Sequence, residues 1–117
     1  KPDCIIAIGG GSPMDAAKAI NILINNPPPI NKYFGNPFYK PGVPVIMVVT
    51  TAGTGSESTG IGVVTDTEND VKNSVIGVAT LGILDRETTV TVSPETTAYP
   101  GMDAFTKQRL PILNRNY

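Results

Sequence analysis

Two loops rich in glycine, serine and threonine contain the residues best suited to bind an anion. The first, Gly-Gly-Gly-Ser at residues 9–12, follows an apolar run at residues 4–8 and precedes a helical pattern. Glycines let the backbone approach a bound group closely, and the N–H groups and dipole of a helix N-terminus favour negative charge. This spacing predicts a phosphate or pyrophosphate ligand, although the same turn also occurs as a plain strand-to-helix connection.

The helix after the first loop is predicted to start sharply. Ser12 is suited to cap it, Pro13 fits its first position, and Asp15 has the spacing of a capping box. Most of the remaining helix surface is apolar and should be buried. A narrow polar stripe is formed by Asp15, Lys18, Asn21 and Asn25.

The second loop follows another buried strand. Residues 45–49 are β-branched or apolar without alternation, as expected for a strand covered on both faces. The strand leads into Thr-Thr-Ala-Gly-Thr-Gly-Ser-Glu at residues 50–57. Ligands of open α/β sheets bind outside the carboxyl ends of the strands, so the two loops are expected to share one ligand. The alternative is that the threonine hydroxyls satisfy their own loop backbone.

The rest of the chain predicts further short elements of an α/β fold. Residues 62–65 and 74–78 predict a hairpin around a polar turn, and residues 81–84 predict a buried strand. A helix is predicted from residue 94, with Pro100 and Gly101 breaking it. A second helix, from residue 102, is predicted to be cut short by Pro111.

Composition excludes several classes of function. The 117 residues carry 9 Lys plus Arg against 10 Asp plus Glu, without a basic stripe, so no nucleic acid partner is expected. No apolar stretch approaches the roughly 20 residues that span a bilayer, so no membrane association is expected. Cys4, the single cysteine, is predicted to be buried, in a protein of the reducing cytoplasm.

Two absences restrict the chemistry further. The chain does not begin with Met, and it opens on an apolar strand that would need neighbours, which together predict a partial chain. It also contains no histidine, the commonest general base and transition-metal ligand. A mechanism that requires histidine therefore cannot be completed by these residues.

From residue 2 to about residue 106, the chain resembles the iron-containing (group III) alcohol dehydrogenases. The motifs that carry the resemblance are residues 9–18, residues 44–57, Asp85 with the Ser93-Pro94 region, and Gly-Met-Asp-Ala at residues 101–104. The resemblance implies a Rossmann-like parallel sheet with flanking helices, the later part of the N-terminal nucleotide-binding domain of the dehydroquinate synthase-like fold. Residues 1–98 would belong to that domain, and residues 99–117 would begin a truncated, helical, metal-binding domain.

The resemblance also implies roles for individual residues. Eight of them would bind NAD or NADP: Gly10, Gly11, Ser12, Asp15, Thr50, Thr51, Thr54 and Lys72. Asp103 matches the first ligand of a divalent metal, iron or zinc, in the pattern Gly-x-Asp-Ala-x-x-His. The implied reaction is hydride transfer between small alcohols and aldehydes or ketones, in a complete enzyme that is expected to be a homo-oligomer.

The chain departs from the family pattern at Lys107, which stands where the pattern has its first histidine. Positions i and i+4 share a helix face, so Lys107 would place a cation beside Asp103. A salt bridge between the two is therefore an alternative to metal binding at Asp103. This chain alone is expected to bind cofactor weakly and not to catalyse. The alternative is a stand-alone nucleotide-binding or regulatory module that has lost the metal site.

Overall fold

Three parallel strands form the sheet from which both loops emerge. The computed structural model describes residues 1–113. In chain order the elements, separated by two short 3₁₀ helices at Ile30–Tyr33 and Arg86–Thr89, are β1 (Ile5–Gly9), α1 (Gly11–Asn25), β2 (Val45–Val49), β3 (Ile61–Asp66), β4 (Val71–Ile76), β5 (Leu81–Ile83) and α2 (Pro94–Leu113). The predicted α/β class is confirmed.

The strand order β1-β2-β5 places the carboxyl ends of β1 and β2 side by side. Gly9 pairs with Val49 at the end of the parallel ladder, so the first loop and the second loop leave the sheet at the same edge. β2 lies between the other two strands and alternates between buried and half-buried positions. The expectation that the two loops would lie together is thus met by the register of the sheet.

One face of the sheet is covered by α1. Met14 and Ala17 of the helix pack on Ala7, Met47 and neighbouring residues of the strands, and all of these side chains are buried. Each large apolar side chain removed from water in this way contributes roughly 1.5–3 kcal/mol. The helix is therefore held on the sheet mainly by its apolar face.

On the opposite face of the sheet, within the part of the chain that the structure describes, β1 and β5 have exposed side chains and those of β2 are half-buried. The prediction of a buried strand at residues 81–84 was wrong in burial, because Leu81 and Ile83 are 53% and 39% exposed. β5 has a partner strand on one side only, and α1 lies on the other face. Cys4 is likewise exposed, so its predicted burial was also wrong. It lies just before β1, outside the cover of α1.

The predicted hairpin is confirmed as the antiparallel pair β3-β4. Its turn is closed by Asp66, whose carboxylate accepts hydrogen bonds from the Glu68 N–H at 3.0 Å and the Asn69 side chain at 2.8 Å. These bonds, the Asn69 side chain first among them, lower the pKa of Asp66. The hairpin packs on a second side of α1, around a core that contains Ile22 and Val75.

α2 runs without a break from Pro94 to Leu113, so the predictions that Pro100 and Pro111 would interrupt it were wrong. A proline removes one helical N–H donor, but its φ is helical and a helix can bend and continue. The predicted domain boundary between residues 98 and 99 falls inside α2 and stays a prediction. Residues 114–117 of the predicted second domain lie outside the described residues. No helix within residues 1–113 has the length and apolar character needed to cross a bilayer.

Candidate functional site

The two loops touch directly at their glycines and threonines. A β-carbon added to Gly10 would lie 2.9 Å from Oγ1 of Thr51, and one added to Gly11 would lie 3.4 Å from Cγ2 of Thr54. The Thr50 N–H also donates to the Gly9 carbonyl at 3.0 Å. A side chain at Gly10 would push the loops apart, so glycine is needed there for close approach. The structure therefore places Gly10 beside Thr51 and Gly11 beside Thr54, so the two loops are in contact.

The start of α1 differs from the predicted cap. The helix begins at Gly11 with Gly10 as its N-cap residue, and no side chain of the described residues caps it. Ser12 is therefore already the second helical residue and Pro13 the third, so the prediction of a Ser12 cap was wrong. The glycine at the cap position adopts the required extended backbone (φ −87°, ψ −154°) without offering a side-chain acceptor. The orphan N–H groups of the first turn thus have no capping side chain.

A cavity of about 450 Å³, here called the loop cavity, lies between the N-terminus of α1, the second loop and α2. Thr54 lines this cavity, and its Oγ1 is buried without a hydrogen-bond partner among the described residues. Burying a hydroxyl without a partner costs about 1–3 kcal/mol. The polar residues that line the loop cavity are Ser12, Asp15, Thr54, Ser56, Thr59, Asp103 and Lys107.

The predicted cofactor residues are divided between several places. Thr51 lines a smaller cavity of about 280 Å³ between β2 and β5, here called the edge cavity, together with Val49, Leu84 and Arg86. Thr50 lines neither cavity. Lys72 is exposed on β4, opposite Thr65, and also lines neither cavity.

Lys18 is the site residue that sequence reasoning missed. Its side chain is 1% exposed, and Nζ lies within 2.8–3.3 Å of five acceptors. These acceptors are the carbonyl oxygens of Ser56, Thr59 and Ile61 and the hydroxyls of Ser56 and Thr59. Burial lowers the pKa of Lys18, and the carboxylates of Asp15 and Glu57 oppose that shift. The sequence feature that could have indicated a buried lysine is its position among three alanines at residues 16–19.

Asp15 joins the same network instead of forming a capping box. Its Oδ1 accepts a 2.6 Å hydrogen bond from Oγ of Ser56 and lies 4.0 Å from Nζ of Lys18. The predicted polar stripe of α1 therefore faces the second loop at these two positions. The carboxylate supports the loop, although Asp15 also lines the loop cavity.

Asp103 is paired with Lys107, as the alternative interpretation predicted. The Lys107 ammonium lies 2.7 Å from Oδ2 of Asp103 and donates to the Thr54 carbonyl at 3.2 Å. Within residues 1–113 no group of three or more Asp, Glu, Cys or His side chains is arranged to hold a metal ion. The sequence also lacks histidine. An ammonium has no lone pair to donate, so the residues present do not fit a divalent metal.

α2 is also in steric contact with the second loop. Gly53 has a φ of +140°, and a β-carbon there would lie 1.9 Å from the carbonyl oxygen of Pro100. Any other residue would be strained at this φ and would collide with the helix backbone. The loop therefore contacts α2 at Gly53 and again through Lys107.

A profile of the family described as iron-containing alcohol dehydrogenase matches residues 1–86. The chain belongs to this family. Among curated relatives of this family, the sulfoacetaldehyde reductase of Bilophila wadsworthia is 47% identical over 107 residues, which cover 88% of this chain and 28% of that protein. The NAD-dependent methanol dehydrogenase of Bacillus methanolicus is 45% identical with the same coverage. The chain thus spans about 28% of the length of these relatives.

Solved structures of the iron-containing alcohol dehydrogenase family have the same fold. The crystal structure of a 1,3-propanediol oxidoreductase aligns with a TM-score of 0.84 at 36% identity, over 89% of this chain and 28% of that one. The sulfoacetaldehyde reductase of Bifidobacterium kashiwanohense in complex with NAD⁺ aligns with a TM-score of 0.78 at 36% identity, over 86% and 28%. The predicted dehydroquinate synthase-like fold is confirmed.

Proposed function

We propose that this chain contributes the dinucleotide-binding part of an NAD(P)-dependent alcohol dehydrogenase that interconverts small alcohols with aldehydes or ketones. The observation that carries the proposal is the buried, unpartnered Oγ1 of Thr54 beside Gly11 at the uncapped N-terminus of α1. A phosphate oxygen in the loop cavity would give this hydroxyl and the orphan N–H groups their missing acceptor. When bound, NAD(P) supplies the acceptor or donor of the hydride.

Different residues are proposed to contact different parts of the dinucleotide. Gly10 keeps the two loops close, whereas Gly11 and Ser12 offer backbone N–H groups and Thr54 offers its hydroxyl to the pyrophosphate. Thr51 lies in the edge cavity, so we assign it to a different part of the dinucleotide from Thr54. Asp15 acts through Ser56, and Thr50 through its backbone bond to Gly9. Lys72 as a ribose contact stays a prediction that rests on the family pattern.

We propose no metal step for these residues. Asp103 as a metal ligand stays a prediction for the family position, because its carboxylate is here paired with Lys107. This pair favours a second candidate function, a nucleotide-binding module in which an ammonium occupies the place of the metal. Residues 99–113 would then serve to close the loop cavity instead of binding a metal. The single, exposed Cys4 supports a reducing, cytoplasmic location for either function.

A titration of NADH into the purified chain tests the dinucleotide proposal. The chain should bind weakly, and Thr54→Val should weaken binding about tenfold, the expected effect of losing a hydrogen bond to a charged group. Thr54→Val should leave the unfolding free energy unchanged or raise it, because the lost hydroxyl has no partner in the described structure. NADH fluorescence and urea unfolding measure the two effects.

Thr67→Val, in the exposed hairpin turn, is the matched control and should change neither quantity. Equal affinity of Thr54→Val and the unaltered chain would contradict the assignment of Thr54. The NADH affinity of the unaltered chain separates the two candidate functions, because the dehydrogenase part is expected to bind weakly, whereas tight binding favours the module.

A further inference from the structure

Lys18 connects two of the elements that form the loop cavity, α1 and the second loop, without lining that cavity itself. We propose that Lys18 is a positioning residue whose ammonium holds the second loop in the conformation that places Thr54 beside the N-terminus of α1. The inference rests on the proposed dinucleotide function, because it assigns Lys18 a part in building that site. The proposed role of Lys18 requires no contact with the cofactor, because the ammonium acts through the loop.

The acceptors around Nζ show why the ammonium determines the loop conformation. They belong to Ser56, Thr59 and Ile61, which all follow Thr54 within seven residues. The carbonyl groups of Ser56, Thr59 and Ile61, from the end of the second loop to the start of β3, all point at Nζ and would repel one another without a cation between them. A buried ammonium with three protons and five acceptors within 2.8–3.3 Å supplies that cation. Without it, this curved conformation loses the interaction that holds its carbonyl groups together.

The Lys18 stem and the Ser56 hydroxyl together connect the second loop to α1. Lys18 lies one turn after Asp15, and its stem packs under β3, since a β-carbon added to Gly62 would lie 3.2 Å from its Cδ. The Ser56 hydroxyl is held from both sides, as it accepts from Lys18 at 3.1 Å and donates to Asp15 at 2.6 Å. The helix that presents the N–H groups is therefore locked to the loop that presents Thr54.

The chemistry of lysine suits this position better than that of arginine. An ammonium is a compact charge whose donors can turn toward converging carbonyl oxygens, whereas a guanidinium is planar and suits carboxylates and phosphates. Nζ is surrounded by carbonyls and hydroxyls, and the nearest carboxylate oxygen is 4.0 Å away. The Lys18 ammonium is thus arranged to hold backbone carbonyl groups in place and not to bind an anion directly.

The test compares the affinities of four forms of the full chain for NADH and for inorganic pyrophosphate. Lys18→Met should bind both ligands about tenfold or more weakly, since a shift of about 1 Å in a positioned group has large effects. Ile22→Ala destabilises the second core away from the loop cavity, and Lys40→Met removes an exposed charge. Both controls should keep the affinity of the unaltered chain. Titrations at low temperature in sucrose keep the variants folded, with circular dichroism as the check.

Amide hydrogen exchange distinguishes positioning from general stability. Lys18→Met should speed exchange at residues 54–61 far more than in the hairpin turn at residues 66–70, whereas Ile22→Ala should not single out the loop. If Lys18→Met does not fold, Ser56→Ala is used instead. It keeps the carbonyl bond to Nζ but removes the link to Asp15, so it should weaken binding and speed the same exchange.

The outcomes separate this inference from the proposed function. If Thr54→Val weakens NADH binding and Lys18→Met does not, the positioning role is overturned and the dinucleotide site stands. If Lys18→Met and Ile22→Ala lose affinity equally, Lys18 is merely structural and the inference is overturned. If the unaltered chain binds neither NADH nor pyrophosphate, both proposals are overturned.

Discussion

Lys18 and Lys107 both hold the second loop, from two different helices and in two different ways. Lys18 is 1% exposed in its side chain and donates to carbonyls and hydroxyls, whereas the Lys107 side chain is 58% exposed and pairs with a carboxylate. Water screens the exposed Lys107–Asp103 ion pair much more than it screens the buried ammonium of Lys18. The same ammonium group is therefore a structural element where it is buried, whereas on the surface its contribution to stability depends on the salt concentration.

The two ammonium groups also differ in what they leave behind when removed. Loss of Lys18 would remove the ammonium donor from the buried Ser56 carbonyl and from the partly buried Thr59 carbonyl. The Ile61 carbonyl would keep the Thr59 hydroxyl as a donor at 3.2 Å. Loss of Lys107 would leave Asp103 44% exposed in its side chain and the Thr54 carbonyl near an open cavity. The energetic cost of a missing donor depends on whether water can replace it.

The largest expected effect is on stability. Lys18→Met should lower the unfolding free energy by about 3 kcal/mol, because the buried acceptors of Ser56 and the partly buried acceptors of Thr59 and Ile61 lose a charged donor. Lys107→Met should lower it by about 0.5 kcal/mol, as for an exposed i,i+4 pair. Urea unfolding followed by circular dichroism measures both. Similar losses in the two variants would remove the distinction between a buried and an exposed ammonium.

A middle-sized effect is expected at the loop cavity. Asp103→Asn removes a negative charge from the lining and releases Lys107, so NADH affinity should rise about threefold at low salt. The gain should shrink as ionic strength increases, because the pair is exposed. NADH titrations at two salt concentrations provide the measurement. An affinity that falls would mean that the Asp103–Lys107 pair itself supports the site.

The smallest effect is expected in the hairpin turn, which contacts neither lysine. The pKa of Asp66 is lowered from its ordinary value of 3.8, chiefly by the Asn69 side chain. The stabilisation is therefore complete above about that pH and is lost as pH falls through the lower folded pKa. Asp66→Asn should remove this acid-sensitive contribution to the free energy of unfolding. The measurement is the slope of the unfolding free energy against pH, from unfolding curves of both forms between pH 2.5 and about pH 6. An unchanged slope would assign the acid sensitivity to other carboxylates.

Local patterns were sufficient to predict much of the fold. The β-branched run at residues 45–49 predicted β2 with its observed bounds, and the polar turn at residues 66–70 predicted the hairpin. Both signals depend on residues close in sequence. The glycines and threonines that meet across the loops were also predicted, because parallel strands bring their carboxyl ends to one edge.

The errors arose where distant residues decide the outcome. Lys18 was placed in a polar stripe because helical periodicity cannot show that carbonyls about 40 residues later surround it. Ser12 was predicted as a cap from composition, but the backbone begins the helix at Gly11. Pro100 was predicted to end a helix from its own chemistry, whereas α2 continues through it while packing against Gly53. Such contacts depend on tertiary structure.

The contact between Gly53 and Pro100 limits movement of α2 in one direction only. Hard-sphere repulsion rises steeply, so the helix has no room to advance toward the sheet beyond the position where its carbonyl meets the glycine. The Lys107 ammonium, which donates to the Thr54 carbonyl at 3.2 Å, opposes movement in the other direction. Gly53 therefore sets the minimum distance between α2 and the second loop, and any larger residue there would act as a spacer between them.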